Sequence, residues 1–168
     1  MFTITANTRR AKPEDAGAIS RVHEASWKHA YAGLVPYAAL ARMISRRDVN
    51  WWANAIRKST LILVVEMDDE IVGYVTLGPN RVSTFPHEGE IYEIYLRPEY
   101  QGVGLGAKLF ADAKLELKRR SYKGVVVWVL SDNDHAIGFY QNAGGRAIAN
   151  GSEHFDDKKL CKTAFAWD

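Results

Sequence analysis

Residues Ile94 to Ala107 read IYLRPEYQGVGLGA, and this stretch decides the fold. An alternating apolar strand ends at Pro98, and a charged turn follows. Gln101-Gly102-Val103-Gly104-Leu105-Gly106 then opens a helix that continues Ala107-Lys108-Leu109-Phe110. Glycine costs backbone entropy and offers no side chain to pack, so Gly102, Gly104 and Gly106 mark a place where something approaches the backbone closely. At the mouth of a helix that something is an anion. The first N–H groups have no helical partner, and the positive end of the helix dipole favours negative charge. The stretch predicts a phosphorylated ligand.

Two other glycine loops bind phosphate, and neither fits. Gly102, Gly104 and Ala107 satisfy G-x-G-x-x-A, the dinucleotide fingerprint. In that fold, however, the apolar strand runs straight into the first glycine, whereas here Arg97 to Gln101 intervene and only about sixty residues follow. A P-loop needs Gly-Lys-Ser/Thr for phosphate and magnesium, and Gly106-Ala107-Lys108-Leu109 lacks it.

Outward from this turn the elements alternate. LILVVE (61–66) and IVGYVTLG (71–78) flank Met67-Asp68-Asp69-Glu70, a hairpin signature, and a strand follows over 90–97. A helix over about 104–120 puts Leu109, Ala113 and Leu117 on one face. The run VVVWVL (125–130) is apolar on both faces, as a buried central strand is. Strand, helix and second buried strand make one parallel crossover. A short helix over about 134–143 and strands near 146–150 and 160–167 complete the C-terminal side. Upstream lie a strand over 3–9, a helix from Pro13 to about Tyr31, and helices near 37–46 and 48–58. The expectation is an α+β fold: a mixed, mostly antiparallel sheet with helices on both faces, in one domain over 1–168.

Bulk properties narrow the function. The chain has 168 residues, enough for one core and short for two. A net charge of +2 gives no electrostatic footprint for nucleic acid. No apolar run reaches membrane length and the N-terminal residues show no signal-peptide core, so the expected setting is cytoplasmic, with no membrane partner. The single cysteine, Cys161, forms no intrachain disulfide; it falls in a strand and is expected buried and inert. His23, His29, His87, His135 and His154 show no metal-ligand spacing, so no metal site is expected.

Gln101-x-x-Gly104-x-Gly106 after the strand E-I-Y-E-I-Y-L-R-P resembles the acetyl-CoA motif of the GNAT superfamily of N-acetyltransferases, Gln/Arg-x-x-Gly-x-Gly/Ala. Asn133-Asp134-His135-Ala136-Ile137-Gly138-Phe139-Tyr140 is similar to that family's N-x-x-A-x-x-F-Y segment, in the right order and at the right separation. The likeness is close from Ile71 to Gly144 and looser at both ends. It implies that acetyl-CoA is the cofactor and that the two parallel strands splay to admit its pantetheine arm. The arm would lie on the backbone of Ile94, Tyr95 and Leu96. The pyrophosphate would lie on Gln101, Gly102, Val103, Gly104, Leu105, Gly106 and Ala107. Asn133 would bind pantetheine besides capping its helix.

The reaction so implied needs few groups: a neutral amine attacks the thioester carbonyl and a thiolate leaves. A thiol of pKa about 8.5 needs only a modest acid, and Tyr140 matches the family tyrosine beside the sulfur. Spacing alone would make Tyr140 a core aromatic. The base is open between Glu90, which aligns with a glutamate that some members use, Glu93, and a chain of waters. Strand alternation puts the two carboxylates on opposite faces unless a bulge intervenes. Trp27 and Tyr31 resemble a W-x-x-x-Y-x-G-x-x-P stretch that sets aromatics beside the acceptor. Glu90, Glu153, Asp156 and Asp157 favour a small cationic amine, a small-molecule acceptor. A protein N-terminus or lysine stays open, and so does a non-catalytic acyl-CoA-binding module. The resemblance also admits a homodimer. One departure stands out: Gly145 replaces the aromatic that usually follows Asn142-Ala143-Gly144, which predicts a C-terminal hairpin that is looser or differently placed.

Overall fold

The computed structural model describes residues 5–168. Its centre is a seven-stranded sheet in the order β1-β2-β3-β4-β5-β7-β6. The strands are β1 (Ala6–Arg10), β2 (Ile62–Met67), β3 (Glu70–Pro79), β4 (Gly89–Leu96), β5 (Val125–Leu130), β6 (Arg146–Phe155) and β7 (Lys158–Trp167). The helices are α1 (Ala16–Tyr31), α2 (Tyr37–Arg46), α3 (Val49–Arg57), α4 (Leu105–Arg119) and α5 (Asp134–Asn142). Every neighbouring pair of strands is antiparallel except β4 and β5. The fold is therefore α+β and mostly antiparallel, as the sequence predicts. Of the strand expected over 3–9, the first two residues lie outside the described range.

Alternation along β2 divides the core into two layers. Leu63 and Val65 face Leu109, Phe110, Ala113 and Leu117 of α4. Ile62 and Val64 face Ile19 and Val22 of α1 and Trp52 of α3. Each such side chain removed from water contributes about 1.5–3 kcal/mol. That burial fixes α4, and with it the glycine turn, against the sheet. A third cluster joins Trp27, Val35 and Leu40 to Leu130, Phe155 and Leu160, so α1 and α2 rest on the end of β5 and on the β6–β7 hairpin.

Two irregularities interrupt the sheet beside the glycine turn. β4 and β5 pair only at Gly89↔Val125, Glu90↔Val126 and Ile91↔Val127, and past Ile91 they part. Between β3 and β4 the register steps from Thr76↔Glu93 to Leu77↔Ile91, so Tyr92 is an extra residue in a β-bulge. Its ring lies over Gly78, where a Cβ would stand 2.7 Å from the Tyr92 hydroxyl.

Two expectations are corrected. Cys161 is exposed, because β7 turns Leu160 inward and alternation then turns Cys161 out. The hairpin expected to be loose pairs from Arg146↔Ala166 to Phe155↔Lys158, with one bulge. The aromatic missing at Gly145 is supplied by Trp167, whose ring atom lies 2.6 Å from where a Gly145 Cβ would be. Its Nε1 donates to the Ala143 carbonyl at 3.0 Å.

Candidate active site

The glycine turn is built by backbone dihedrals. After a 3-10 turn over Pro98–Tyr100, Gly102 has φ 80° and Gly104, the N-cap of α4, has φ 88°. Both values lie in the left-handed region that other residues adopt only with strain. A Cβ on either would meet nothing within 4 Å, so the space in front of the turn is open. The first helical hydrogen bond runs from Lys108 N to Gly104 O, which leaves the preceding N–H groups aimed at that space. Gly106 has a different purpose. A Cβ there would stand 3.3 Å from Phe139 and 3.6 Å from Leu96, so this glycine lets α4 pack against α5.

Where β4 and β5 part, a cavity of about 210 Å³ opens, lined by Ile94, Tyr95, Leu96, Gln101, Gly106, Asn133 and Tyr140 among others. Six of these, all but the expected acid Tyr140, are residues expected to hold the cofactor, brought together from β4, the turn, α4 and the N-cap of α5. Gly102, Val103, Gly104, Leu105 and Ala107, also expected to hold the cofactor, lie next to or between Gln101 and Gly106 in the chain but do not line the cavity. Asn133 caps α5, its side chain accepting from Ala136 N at 3.3 Å. A phosphate group fits the open turn, and an extended arm fits the gap.

A larger cavity of about 760 Å³ adjoins the first, sharing Ile94, Tyr95, Asn133, Ala136 and Tyr140. Tyr140 thus stands where the two meet. Burial, with a smaller contribution from Tyr31, raises its hydroxyl pKa above the usual range. Trp27 and Tyr31 line the larger cavity. Their rings meet edge-on at 5.4 Å, and the Tyr31 hydroxyl hydrogen-bonds that of Tyr95. Burial pushes Tyr31 up to about 12.

The bulge at Tyr92 puts Glu90 and Glu93 on the wall of this same cavity. Glu90 is 1% exposed and receives three hydrogen bonds from Arg81: from Nη2 at 2.7 Å, from the backbone N at 3.0 Å and from Nε at 3.3 Å. Glu93 accepts from Arg47 Nη1 at 2.8 and 2.9 Å. Burial pushes the Glu93 carboxyl above the ordinary carboxylate range, against the pull of Arg47. Arg47 in turn lies over Trp51, 4.2 Å from its ring centre. Of the other acidic residues expected near the acceptor, Glu153 lines the cavity and Asp156 pairs outside it with Arg42. Arg47, Arg81, Tyr92, Trp128 and Lys162 also line it; no motif in the sequence announces them, and each reaches the cavity through tertiary packing. Among the described residues no group of three or more His, Cys, Asp or Glu could hold a metal ion. No helix among them is long and apolar enough to cross a membrane.

Comparison with known proteins bears on this arrangement. The model of the acetyltransferase (GNAT) family matches residues 23–144. The uncharacterized N-acetyltransferase YuaI of Bacillus subtilis is 28% identical over 159 residues, 95% of this chain and 91% of the relative. An uncharacterized N-acetyltransferase of Archaeoglobus fulgidus is 34% identical over 134 residues, 79% of this chain and 87% of its own length. Among solved structures, the PaiA N-acetyltransferase of Thermoplasma acidophilum in complex with coenzyme A superposes with a TM-score of 0.76. It is 22% identical, and the match covers 95% of this chain and 98% of that one.

Proposed function

This chain belongs to the acetyltransferase (GNAT) family and uses acetyl-CoA; from that premise we propose that it acetylates a small primary amine by direct attack, working as one domain over residues 1–168. The observation that carries this reading is the junction of two cavities at Tyr140, one ending at the glycine turn and the other walled by aromatics and carboxylates. When bound, acetyl-CoA supplies an acetyl group activated as a thioester. The residues of the turn, Gln101 to Ala107, take its phosphates, and Ile94, Tyr95, Leu96 and Asn133 hold its arm.

The chain's own chemistry is proton handling. Trp27 and Tyr31 orient the acceptor and keep bulk water out. The acceptor arrives as an ammonium and must lose a proton before it attacks. The resemblance offers Glu90 for that step, but its carboxylate is already engaged by three hydrogen bonds from Arg81. Glu93 lines the same cavity and burial raises its carboxyl above the ordinary carboxylate range, which strengthens it as a base, and we assign the proton to its carboxylate, directly or through a water. Tyr140 keeps its proton at working pH, so it serves the departing sulfur first as a hydrogen-bond donor.

Cytoplasmic operation and a homodimer belong to the same proposal. A screen of primary amines with acetyl-CoA, read as free thiol released, tests the central claim. Turnover dependent on an amine is expected. Tight acetyl-CoA binding without amine-dependent thiol release would favour a non-catalytic acyl-CoA-binding module.

A further inference from the structure

The larger cavity carries as many cations as carboxylates: Arg47, Arg81 and Lys162 against Glu90, Glu93 and Glu153. Two pairs are closed, Arg81 with Glu90 and Arg47 with Glu93. Glu153 and Lys162 have no ion-pair partner among the described residues. They stand on paired strands where Gly151 faces Lys162 and Glu153 faces Leu160, so they are diagonal neighbours and not a direct pair.

Lys162 is nonetheless held in place. Its Nζ lies 4.8 Å from the centre of the Trp128 ring. The absence of a side chain at Gly151 makes room for its stem: a Cβ there would stand 3.3 Å from Lys162 Cε and 3.5 Å from Trp128. Lys162 is half-buried, its ammonium rests on an aromatic face and it has no carboxylate of its own, so an anion entering the cavity finds an ammonium free to pair with it.

We propose that Lys162 receives a carboxylate of the acceptor, so the substrates are amino acids and other amines that carry a carboxylate. The inference rests on the reading of this cavity as the acceptor site. A polyamine has two or more ammonium groups and would need carboxylates to spare, whereas only Glu153, at the exposed rim, is unpaired. A dianionic phosphate would leave charge uncompensated against one lysine. A single carboxylate matches a single free ammonium.

The test compares matched acceptors at equal free-amine concentration. α-, β- and γ-amino acids are set against their primary amides and the corresponding alkylamines, with spermidine as the polyamine, all read as thiol released from acetyl-CoA. For at least one spacing the acid should exceed its amide and alkylamine in kcat/KM by about tenfold or more, the usual range for a charged hydrogen bond. Lys162→Met should raise KM for that acid about tenfold with kcat little changed, and the acid-to-amide ratio should collapse toward one. Its thermal midpoint should match the parent. Amides, alkylamines or spermidine turned over as well as every acid would overturn the assignment while leaving acetyl transfer standing. A ratio unmoved by Lys162→Met would overturn it too, leaving the lysine a mere cover for Trp128. No thiol released with any amine would overturn the underlying acetyl-transfer reading, and this one with it.

Discussion

The proposed mechanism divides the proton work between Tyr140 and Glu93, and each role can be tested by removing one function and keeping the shape. Tyr140→Phe loses a hydroxyl and keeps a ring packed against Phe110, Phe165 and Trp167. We expect kcat to fall about 10²-fold while acetyl-CoA affinity holds, since the lost contact is made as the sulfur departs. Wild-type turnover at every pH would end that role. As the proposed base Glu93 would act only when deprotonated, so its raised pKa should set the acid limb of kcat/KM above the ordinary carboxylate range. Glu93→Gln should abolish that limb and lower kcat/KM by about 10²-fold. Glu90→Gln should keep the limb, because its partner Arg81 and not the acceptor proton is what it holds. If the limb instead vanishes in Glu90→Gln, the base is Glu90.

The elements differ in how far their roles are legible in the chain. β4, the glycine turn and the start of α4 are local: strand period, turn residues and N-cap succeed one another without help from elsewhere, and the same holds for Asn133 to Tyr140. The bulge at Tyr92 is invisible in sequence because its register is set across the sheet, where Gly78 leaves room for the extra ring. Arg47 and Arg81 stand in a helix break and a loop whose sequences carry no period, and only packing brings them to the carboxylates. The sequence predicts an end to β6 near residue 150, yet the strand runs to Phe155. Its Asn150-Gly151-Ser152-Glu153-His154 has the composition of a loop, and pairing with β7 overrides it. The turn itself provides the test at this scale. Gly104→Val meets no atom within 4 Å but imposes φ 88° on a β-branched residue, a strain of about 1–2 kcal/mol. The thermal midpoint should drop by about 2–8 °C for a chain of this size. Acetyl-CoA at 100 times its dissociation constant adds about 2.7 kcal/mol to a competent fold; in the variant that stabilisation should vanish. A variant still stabilised by acetyl-CoA as the parent is would remove the turn from the cofactor site.

Across the whole molecule the two core layers are not equally comfortable. The layer under α1 and α3 buries His23 completely, its ring 4.4 Å from Trp27 and 5.7 Å from Trp52, and neither nitrogen has a hydrogen-bond partner. Burial, aided by the charge of Arg47, lowers its pKa to about 3. The unfolded chain, with a histidine pKa near 6.5, therefore binds a proton that the folded chain refuses across the interval between. Stability from this group is complete above about pH 6.5 and falls as the pH drops, by about 1.4 kcal/mol per unit. Glu93 acts in the opposite sense. Its raised pKa makes the folded state hold a proton longer, so its contribution is greatest in acid and is lost as the pH rises through that pKa. Asp15, held low by Arg9, sides with His23 but only at lower pH, below the usual aspartate range. Between pH 6.5 and 4.5 the histidine contributes about 3 kcal/mol of lost stability, opposed in part by Glu93. We expect the urea midpoint of the parent to fall between pH 7 and 5. His23→Leu, which also removes two unpaired nitrogens, should flatten that fall or reverse it. Parallel pH profiles for parent and variant would show that His23 is already charged, or hydrated, in the folded core.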